Sequence, residues 1–253
     1  MKAAAPLQAY VLHRHDWSES SLILDVLTRE RGRMVLVAKG AKRPTSQLRA
    51  ILLPFQRLQL QLTQKHADAE IQVLRSAEWR GGDTLPRPAA LLPAYYLNEL
   101  LILALPRQDA HARLFDAYGD TIRALDRAQD DAIMAAALRA FELLLLRELG
   151  WLPELHCVTL TRQDLSAASR YHLDVEAGVC PLPERSDDDG LSGAMLLALH
   201  TALEHDDLEQ LRQVCRAALS PLRPRLRAAL HYHLGTRALR TRQLMVEVQG
   251  LLG

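Results

Sequence analysis

Apolar and polar positions alternate in short runs through the first 80 residues of this 253-residue chain. The clearest run is Leu58–Leu62, where leucines alternate with Gln59 and Gln61, which is the period of a half-buried β-strand. Polar turns separate the runs, at Asp16–Ser20 and around Arg31–Gly32. The pattern predicts five short strands, at Gln8–His13, Leu22–Thr28, Arg33–Ala38, Leu58–Leu62 and from Ile71 through Val73 toward Ala77.

A long polar connection, Lys39–Leu52, separates the third predicted strand from the fourth. Five strands with a long connection at this place fit an OB-type barrel, and an SH3-like barrel is the nearest alternative. The fold class we predict is therefore α+β, with an N-terminal five-stranded OB-fold barrel followed by an all-helical C-terminal domain.

Helical periodicity begins after the breaker cluster Arg80–Pro88, which is the best candidate for a domain boundary. We predict an OB-fold nucleic-acid-binding domain at residues 1–80 and a helical domain at residues 81–253, interrupted by an irregular insert at about 151–190. Gly150 stands where the third helix would be capped, and Ser220 with Pro221 is typical of a helix start. The predicted helices are Ala89–Leu105, Ala110–Ala128, Asp130–Leu149, Gly193–Leu203, Asp207–Ala218, one from Ser220 onward and one around Thr236–Val248.

The bulk composition narrows the class of protein. Hydrophobic residues make up 49% and charged residues 24% of the chain, as in soluble globular proteins. Three cysteines do not make a disulfide framework, so we expect a reducing, cytoplasmic environment. The N-terminus does not have the pattern of a signal peptide, and no run of apolar residues is long enough to predict a membrane span.

The net charge of +1 conceals a strong asymmetry along the chain. Residues 1–80 carry 13 Lys/Arg against 7 Asp/Glu, residues 81–220 carry 12 against 22, and residues 221–253 carry 6 against 1. No acidic residue lies between Glu30 and Asp68, although this stretch carries eight Lys/Arg. Such a run repels itself unless it meets a polyanion, and nucleic acid is the commonest one.

We therefore predict that the barrel binds a phosphate backbone, with little sequence preference. The alternative is an ordinary solvated surface that is neutralised by the acidic middle of the chain. Of the aromatic residues that could stack on bases, Tyr10 and Phe55 fit the core better than Trp17 does. The predicted DNA-binding residues are Arg33, Lys39, Lys42, Arg43, Arg49 and Arg57.

Metal binding and catalysis find little support. Cys157 and Cys180 would need partners three residues further on for a zinc site, but Leu160 and Pro183 stand there. His156 and His172 are the nearest substitutes. We predict two ordinary thiols, no metal and no cofactor. The serines, histidines and aspartates form no catalytic arrangement, so enzyme activity is not predicted.

The C-terminal segment carries arginines at positions 223, 225, 227, 237, 240 and 242. They suit a helix whose charged outer face docks on the acidic middle of the chain. They are equally compatible with a binding site for an acidic peptide or with a second DNA contact.

Four blocks of sequence resemble the RecO recombination mediators of bacteria. The first block is residues 9–44, with Trp17, Glu19 and Ser21 ahead of a Thr28, Gly32, Arg33 turn and the run Val37–Lys42. The others are Leu53–Phe55, Tyr95–Leu101, and Phe141–Glu142 continuing through Leu149–Trp151 and Pro153 to Cys157.

This resemblance implies an OB-fold, a helical C-terminal domain and no covalent catalysis. It implies binding of single- and double-stranded DNA, annealing of complementary strands, and loading of the RecA recombinase together with RecR onto DNA coated by single-strand-binding protein. The acidic, apolar C-terminal tail of single-strand-binding protein is the implied peptide partner. Our candidates for that contact are Arg139, Arg216, Arg223 and Arg227.

Many members of that family carry a four-cysteine zinc site in the irregular segment. This chain departs from the pattern at Leu160 and Pro183, so we expect the metal to be absent. Two other hypotheses stay open at this point, an RNA-binding OB-fold protein and a protein-binding adaptor that does not touch nucleic acid. Membrane association and a small-molecule substrate are not expected.

Overall fold

A computed structural model describes residues 5–63, 70–81, 85–182, 190–235 and 239–252. Contacts between residues divide the chain into two compact units. The first is Met1–Asp126 together with Leu239–Gly253, and the second is Arg127–Ala238. The first unit contains a β-barrel with three long helices, and the second contains four helices and a small sheet.

The barrel consists of five strands, with one short helix, α1, in the connection between the third and fourth. The strands are β1 Leu7–Asp16, β2 Leu22–Thr28, β3 Gly32–Ala38, β4 Leu58–Leu62 and β5 Ile71–Trp79, and α1 is Leu48–Ile51. Their order is β1-β2-β3-β5-β4, and β4 pairs back onto β1 to close the barrel. The β3–β5 pair is parallel and the other pairs are antiparallel. The predicted OB-fold is confirmed.

The barrel core follows from the alternation seen in the sequence. Leu58, Leu60 and Leu62 point inward and are buried, while Gln59 and Gln61 are partly exposed. Equivalent residues of all five strands meet them in one apolar cluster. Helix α1 was not predicted, since it has only four residues and no capping side chain. Its Leu48 and Ile51 pack against the barrel core, so tertiary burial accounts for it.

Strand β1 is longer than predicted. A bulge lies between Val11 and His13, and pairing with β2 then continues to Asp16, which lies opposite Leu22. The expected end at His13 is therefore three residues too early, because the polar residues that follow still pair with an apolar strand. This extension carries polar side chains to one end of the barrel.

Three long helices complete the first unit, α2 Pro88–Ala104, α3 Ala112–Arg127 and α8 Arg240–Leu252. Helices α2 and α3 contact the barrel, and α8 contacts α2. Tyr10 lies between Phe115 and Tyr118, with ring centroids 5.0 and 4.9 Å away. Asn98 donates to the Leu12 carbonyl at 2.9 Å and accepts from the Tyr118 hydroxyl at 2.6 Å. The polar groups of this apolar contact are thereby satisfied, which fixes α2 and α3 on the outer face of β1.

The barrel ends at Trp79, just before the breaker cluster at 80–88. Helices α2 and α3 nevertheless belong to the same compact unit as the barrel, so the units divide after Asp126. The predicted division into a nucleic-acid-binding domain at residues 1–80 and a helical domain at residues 81–253 stays a prediction.

The second unit contains α4 Asp131–Glu148, α5 Gly193–Glu204, α6 Leu208–Ala217 and α7 Leu219–Leu234. Asp130 is the N-cap residue of α4, and its carboxylate accepts from the Ile133 amide at 2.7 Å. Leu149 is the C-cap residue, and Gly150 follows it in the left-handed conformation, at the place where a capping glycine was predicted. The segment predicted to be irregular contains two strands, β6 Arg170–Asp174 and β7 Gly178–Pro181, which form a sheet of order β7-β6-β8 with β8 Leu191–Ser192 just after it.

The start predicted for α7 is wrong. The helix begins at Leu219, Ala218 is its N-cap residue, and no side chain caps it. Ser220 and Pro221 lie in the first turn, where a proline costs no hydrogen bond. The last helix begins at Arg240, and residues 236–238, where it was expected to start, lie outside the described residues. No helix in the described ranges has both the length and the apolarity that crossing a bilayer requires.

Candidate nucleic-acid interface

The two ends of the barrel differ in what covers them. At the loop end, Asp16 lies opposite Leu22 and Leu22 opposite Ala38, so the β1–β2 turn and the β3–β4 connection meet there. At the helix end, Thr28 lies opposite Gly32, and the β2–β3 turn lies against α3 and the residues that precede it. The six predicted DNA-binding residues are divided between these two ends.

Three of the predicted residues, Lys39, Arg43 and Arg49, are exposed on the connection at the loop end. Among the described residues, none of the three has a carboxylate within ion-pair distance. An exposed cation that is not neutralised by its own protein remains available to an anion from outside. These side chains form the centre of the candidate surface.

Lys42 has a different position. Its ammonium lies 3.0 Å from an Asp16 carboxylate oxygen and donates to the Ser18 carbonyl at 3.1 Å. Its backbone amide donates to the Ser20 carbonyl at 3.0 Å. Lys42 therefore ties the connection to the β1–β2 turn, and its charge is partly neutralised there.

Arg33 faces the helix end. Its guanidinium is held by the Asp25 carboxylate at 2.9 Å and donates to the Leu105 carbonyl at 3.3 Å. The side chain is mostly buried. Six residues of strand separate Arg33 from Lys39, a distance of roughly 20 Å. Arg33 therefore holds β3 to the segment after α2, and we leave it out of the candidate surface.

Arg57 also lies at the helix end. It donates to the Gln8 side chain, and its guanidinium lies over the Phe115 ring at 5.7 Å from the centroid. This cation–π contact joins the start of β4 to α3. The structure thus brings together four of the six predicted residues and places Arg33 and Arg57 elsewhere.

Two further side chains belong to the loop end. Arg14 is exposed near the end of β1 and donates to the Leu52 carbonyl at 3.2 Å, at the base of the connection. Trp17, in the β1–β2 turn, is 66% exposed. Tyr10 and Phe55 are buried, as predicted, so Trp17 is the aromatic residue of this end that a base could stack on.

Arg14 was missed because it precedes Glu30, outside the acid-free run, and has Asp16 and Glu19 close by in sequence. Only the register of β1 on β2 carries it to the connection. No local signal could have selected it.

Two histidines lie next to this surface. The His13 and His15 rings are in contact, with centroids 4.2 Å apart, and His15 lies 3.9 Å from the Asp25 carboxylate. Partial burial, and then the charge of His15, lower the pKa of His13. His13 therefore adds little positive charge at neutral pH.

We define the cationic surface as Arg14, Trp17, Lys39, Arg43 and Arg49. In residues 13–22 and 38–52, five Lys/Arg face only two carboxylates, Asp16 and Glu19. The surface has the composition of a backbone-led single-strand site, which is a positive track beside a stacking platform.

Of the four candidate peptide-binding arginines of the second unit, two pair with carboxylates of the same unit and two are exposed on α7. Arg139 is paired with the buried Glu142 at 2.5 Å, within α4. Arg216 lies 3.4 Å from Asp130. The other two, Arg223 and Arg227, are exposed four residues apart on α7. Within the described ranges neither has a carboxylate at ion-pair distance. Because α7 contains no acidic residue, it presents a basic stripe.

Comparison with known proteins relates this geometry to a family. A family model for "Recombination protein O N terminal" matches residues 1–82, and one for "Recombination protein O C terminal" matches residues 86–243. The chain belongs to the RecO family of DNA repair proteins. The DNA repair protein RecO of Polaromonas naphthalenivorans is 51% identical over 246 residues, which is 96% of either chain.

Other RecO proteins are similarly close. That of Variovorax paradoxus is 51% identical over 251 residues, again 96% of either chain, and that of Albidiferax ferrireducens is 48% identical over 246 residues, 96% of this chain and 95% of that protein. RecO membership places the chain in recombinational DNA repair, and the boundary between the two family models falls at the end of the barrel.

The residues present do not fit the four-cysteine zinc site expected of many RecO proteins. Cys157 is buried, and the Cys180 sulfur donates to the carbonyls of Ala177 and Gly178. Leu160, where a third thiolate would be needed, is 90% exposed and offers no ligand atom. Pro183, at the fourth position, lies outside the described residues and has no metal-binding side chain. Two thiols are too few for such a site.

Proposed function

We propose that this chain is a recombination mediator that binds single- and double-stranded DNA through the cationic surface and anneals complementary strands. The observation that carries the proposal is the group Lys39, Arg43 and Arg49, which lack a carboxylate partner in the described chain and lie at the same barrel end as the exposed Trp17. Cations that displace condensed counterions supply affinity for any sequence, and an exposed indole stacks on any base.

Annealing follows from the same charges. Two DNA strands repel each other through their phosphates, and this repulsion acts over about 10 Å at 0.1 M salt. A strand whose phosphates are neutralised on the cationic surface repels an approaching complement less. The barrel then releases the duplex more readily when salt rises. No covalent bond is made or broken, so we expect no enzymatic turnover.

A second contact recruits the protein to coated DNA. The basic stripe of α7, with Arg223 and Arg227, suits the acidic C-terminal tail of single-strand-binding protein, because guanidinium groups pair well with carboxylates. Arg216 stands at the end of the neighbouring helix and is half-exposed. Arg139 is engaged with Glu142, so we assign it to the fold and not to the peptide. Binding to RecR and loading of RecA complete the proposed role, which would be carried out at the nucleoid in the cytoplasm.

A strand-annealing assay tests the proposal, run with complementary oligonucleotides in the presence and absence of single-strand-binding protein. The wild-type protein should accelerate annealing in both conditions. The triple variant of Lys39, Arg43 and Arg49 to alanine should lose both activities. The double variant R223A/R227A should anneal bare strands normally and fail on coated strands.

Two results would replace the proposal with another function. A stronger affinity for RNA than for DNA of the same sequence would indicate an RNA-binding OB-fold protein. A protein that shifts no oligonucleotide, yet captures protein partners after nuclease treatment, would be an adaptor.

A further inference from the structure

Three potential metal ligands meet in the second unit, away from the cysteines. Glu154 and His156 lie in the segment that follows α4, and His200 lies in α5. Their ligand atoms, one carboxylate oxygen and two imidazole nitrogens, are all within 4.8 Å of one another. The fold therefore joins residues separated by more than 40 positions into one potential coordination group.

The distances suit a tetrahedral metal centre. His156 Nδ1 lies 3.4 Å from the Glu154 carboxylate oxygen, and the His156 and His200 ring centroids are 4.6 Å apart. Zinc–nitrogen and zinc–oxygen bonds of about 2.0–2.1 Å place neighbouring ligand atoms about 3.3–3.4 Å apart in a tetrahedron. The carboxylate and Nδ1 already stand at that spacing, and a ring nitrogen of His200 lies within 4.8 Å of the other two ligand atoms.

The group also contains an unsatisfied atom. His156 Nδ1 is buried and makes no hydrogen bond, although Glu154 is near it. A buried polar atom without a partner costs about 1–3 kcal/mol. A divalent metal ion would satisfy this nitrogen.

We propose that Glu154, His156 and His200 bind one divalent transition-metal ion, zinc above all. Two imidazoles and one carboxylate suit zinc and leave a fourth position for water. The ion would join the segment after α4 to α5 and stabilise the second unit. This site shares no ligand with the four-cysteine pattern and is independent of DNA binding.

Metal titration of the full-length, metal-free protein tests the inference. Zinc should bind one to one in competition with a chromophoric chelator and should raise the melting temperature. H200A and E154Q should weaken zinc binding by about tenfold or more, since even outer-shell partners of a metal site contribute about 10–100-fold. H205A is the matched control, because His205 caps the same helix outside the group.

Cobalt identifies the ligands. A nitrogen and oxygen site gives a visible cobalt spectrum without a thiolate charge-transfer band, and C157S should leave that spectrum unchanged. Wild-type zinc affinity in both H200A and E154Q would overturn the inference, as would loss of binding in C157S. Should H200A fold poorly, E154Q decides, because Glu154 is exposed.

Discussion

Replacing Lys39, Arg43 and Arg49 together with alanine removes three exposed cations of the loop end that have no carboxylate partner in the described chain. With Arg14 they make four predicted phosphate contacts. Each contact to a single strand contributes about 0.7 to the slope of log K against log salt concentration, so the wild-type slope should be about −3 and the variant slope about −1. At 0.1 M salt the three lost contacts correspond to about a hundredfold loss of affinity, or about 3 kcal/mol.

The assay is fluorescence anisotropy with a labelled oligothymidylate longer than about 16 nucleotides, the upper site size of an OB fold. Titrations at several salt concentrations give the slope directly. The charge-matched control is a second triple alanine variant, of Arg29, Arg80 and Arg107. Arg29 and Arg107 contact helix-end residues, and the Arg80 amide bonds to the carbonyl of Arg57. This control variant therefore loses the same net charge as the loop-end variant but changes no residue of the loop end.

Equal losses in the two triple variants would refute the reasoning, because they would show that net charge and not the cationic surface sets affinity. An unchanged slope in the loop-end variant would refute it as well. All three replaced side chains are exposed, so the loop-end variant should melt at the wild-type temperature. Circular dichroism melting checks this and so tests whether unfolding causes the loss of affinity.

Three more predictions concern single residues. W17A should lose about 1–3 kcal/mol of single-strand affinity with an unchanged salt slope, whereas W79A, exposed at the far end of β5, should bind normally. G32A should melt far below G81A. Both glycines have positive φ, a conformation that costs a residue with a side chain about 1–2 kcal/mol. Of the two positions, only Gly32 would also bring the added Cβ into collision with a backbone oxygen, that of Asp109. E99A should speed hydrogen exchange in α8 and cost about 1 kcal/mol, because this carboxylate accepts from the first amides of the helix, at 2.8 and 3.0 Å; E99Q should cost less. Equal melting of the glycine variants, normal affinity in W17A or unchanged exchange in E99A would contradict the respective assignments.

The sequence alone determined the elements whose signals are local. The leucine alternation at 58–62 reports which face of a strand is apolar, and this holds whatever the partner strand is. The ends of α4 follow from an aspartate and a glycine that act on their own backbone. The acid-free cationic run likewise can be identified without the structure, since it depends only on the composition of residues 31–67.

Tertiary structure decided which of these charges act together. Strand register carries Lys39 to the end of the barrel where Trp17 lies, and it carries Arg33 toward Asp25 and Leu105 at the other end. Glu154, His156 and His200 in the second unit meet for the same kind of reason, because the segment after α4 lies against a helix more than 40 residues away. A side chain's neighbours depend on pairing between distant segments, and a local pattern carries no information about that pairing.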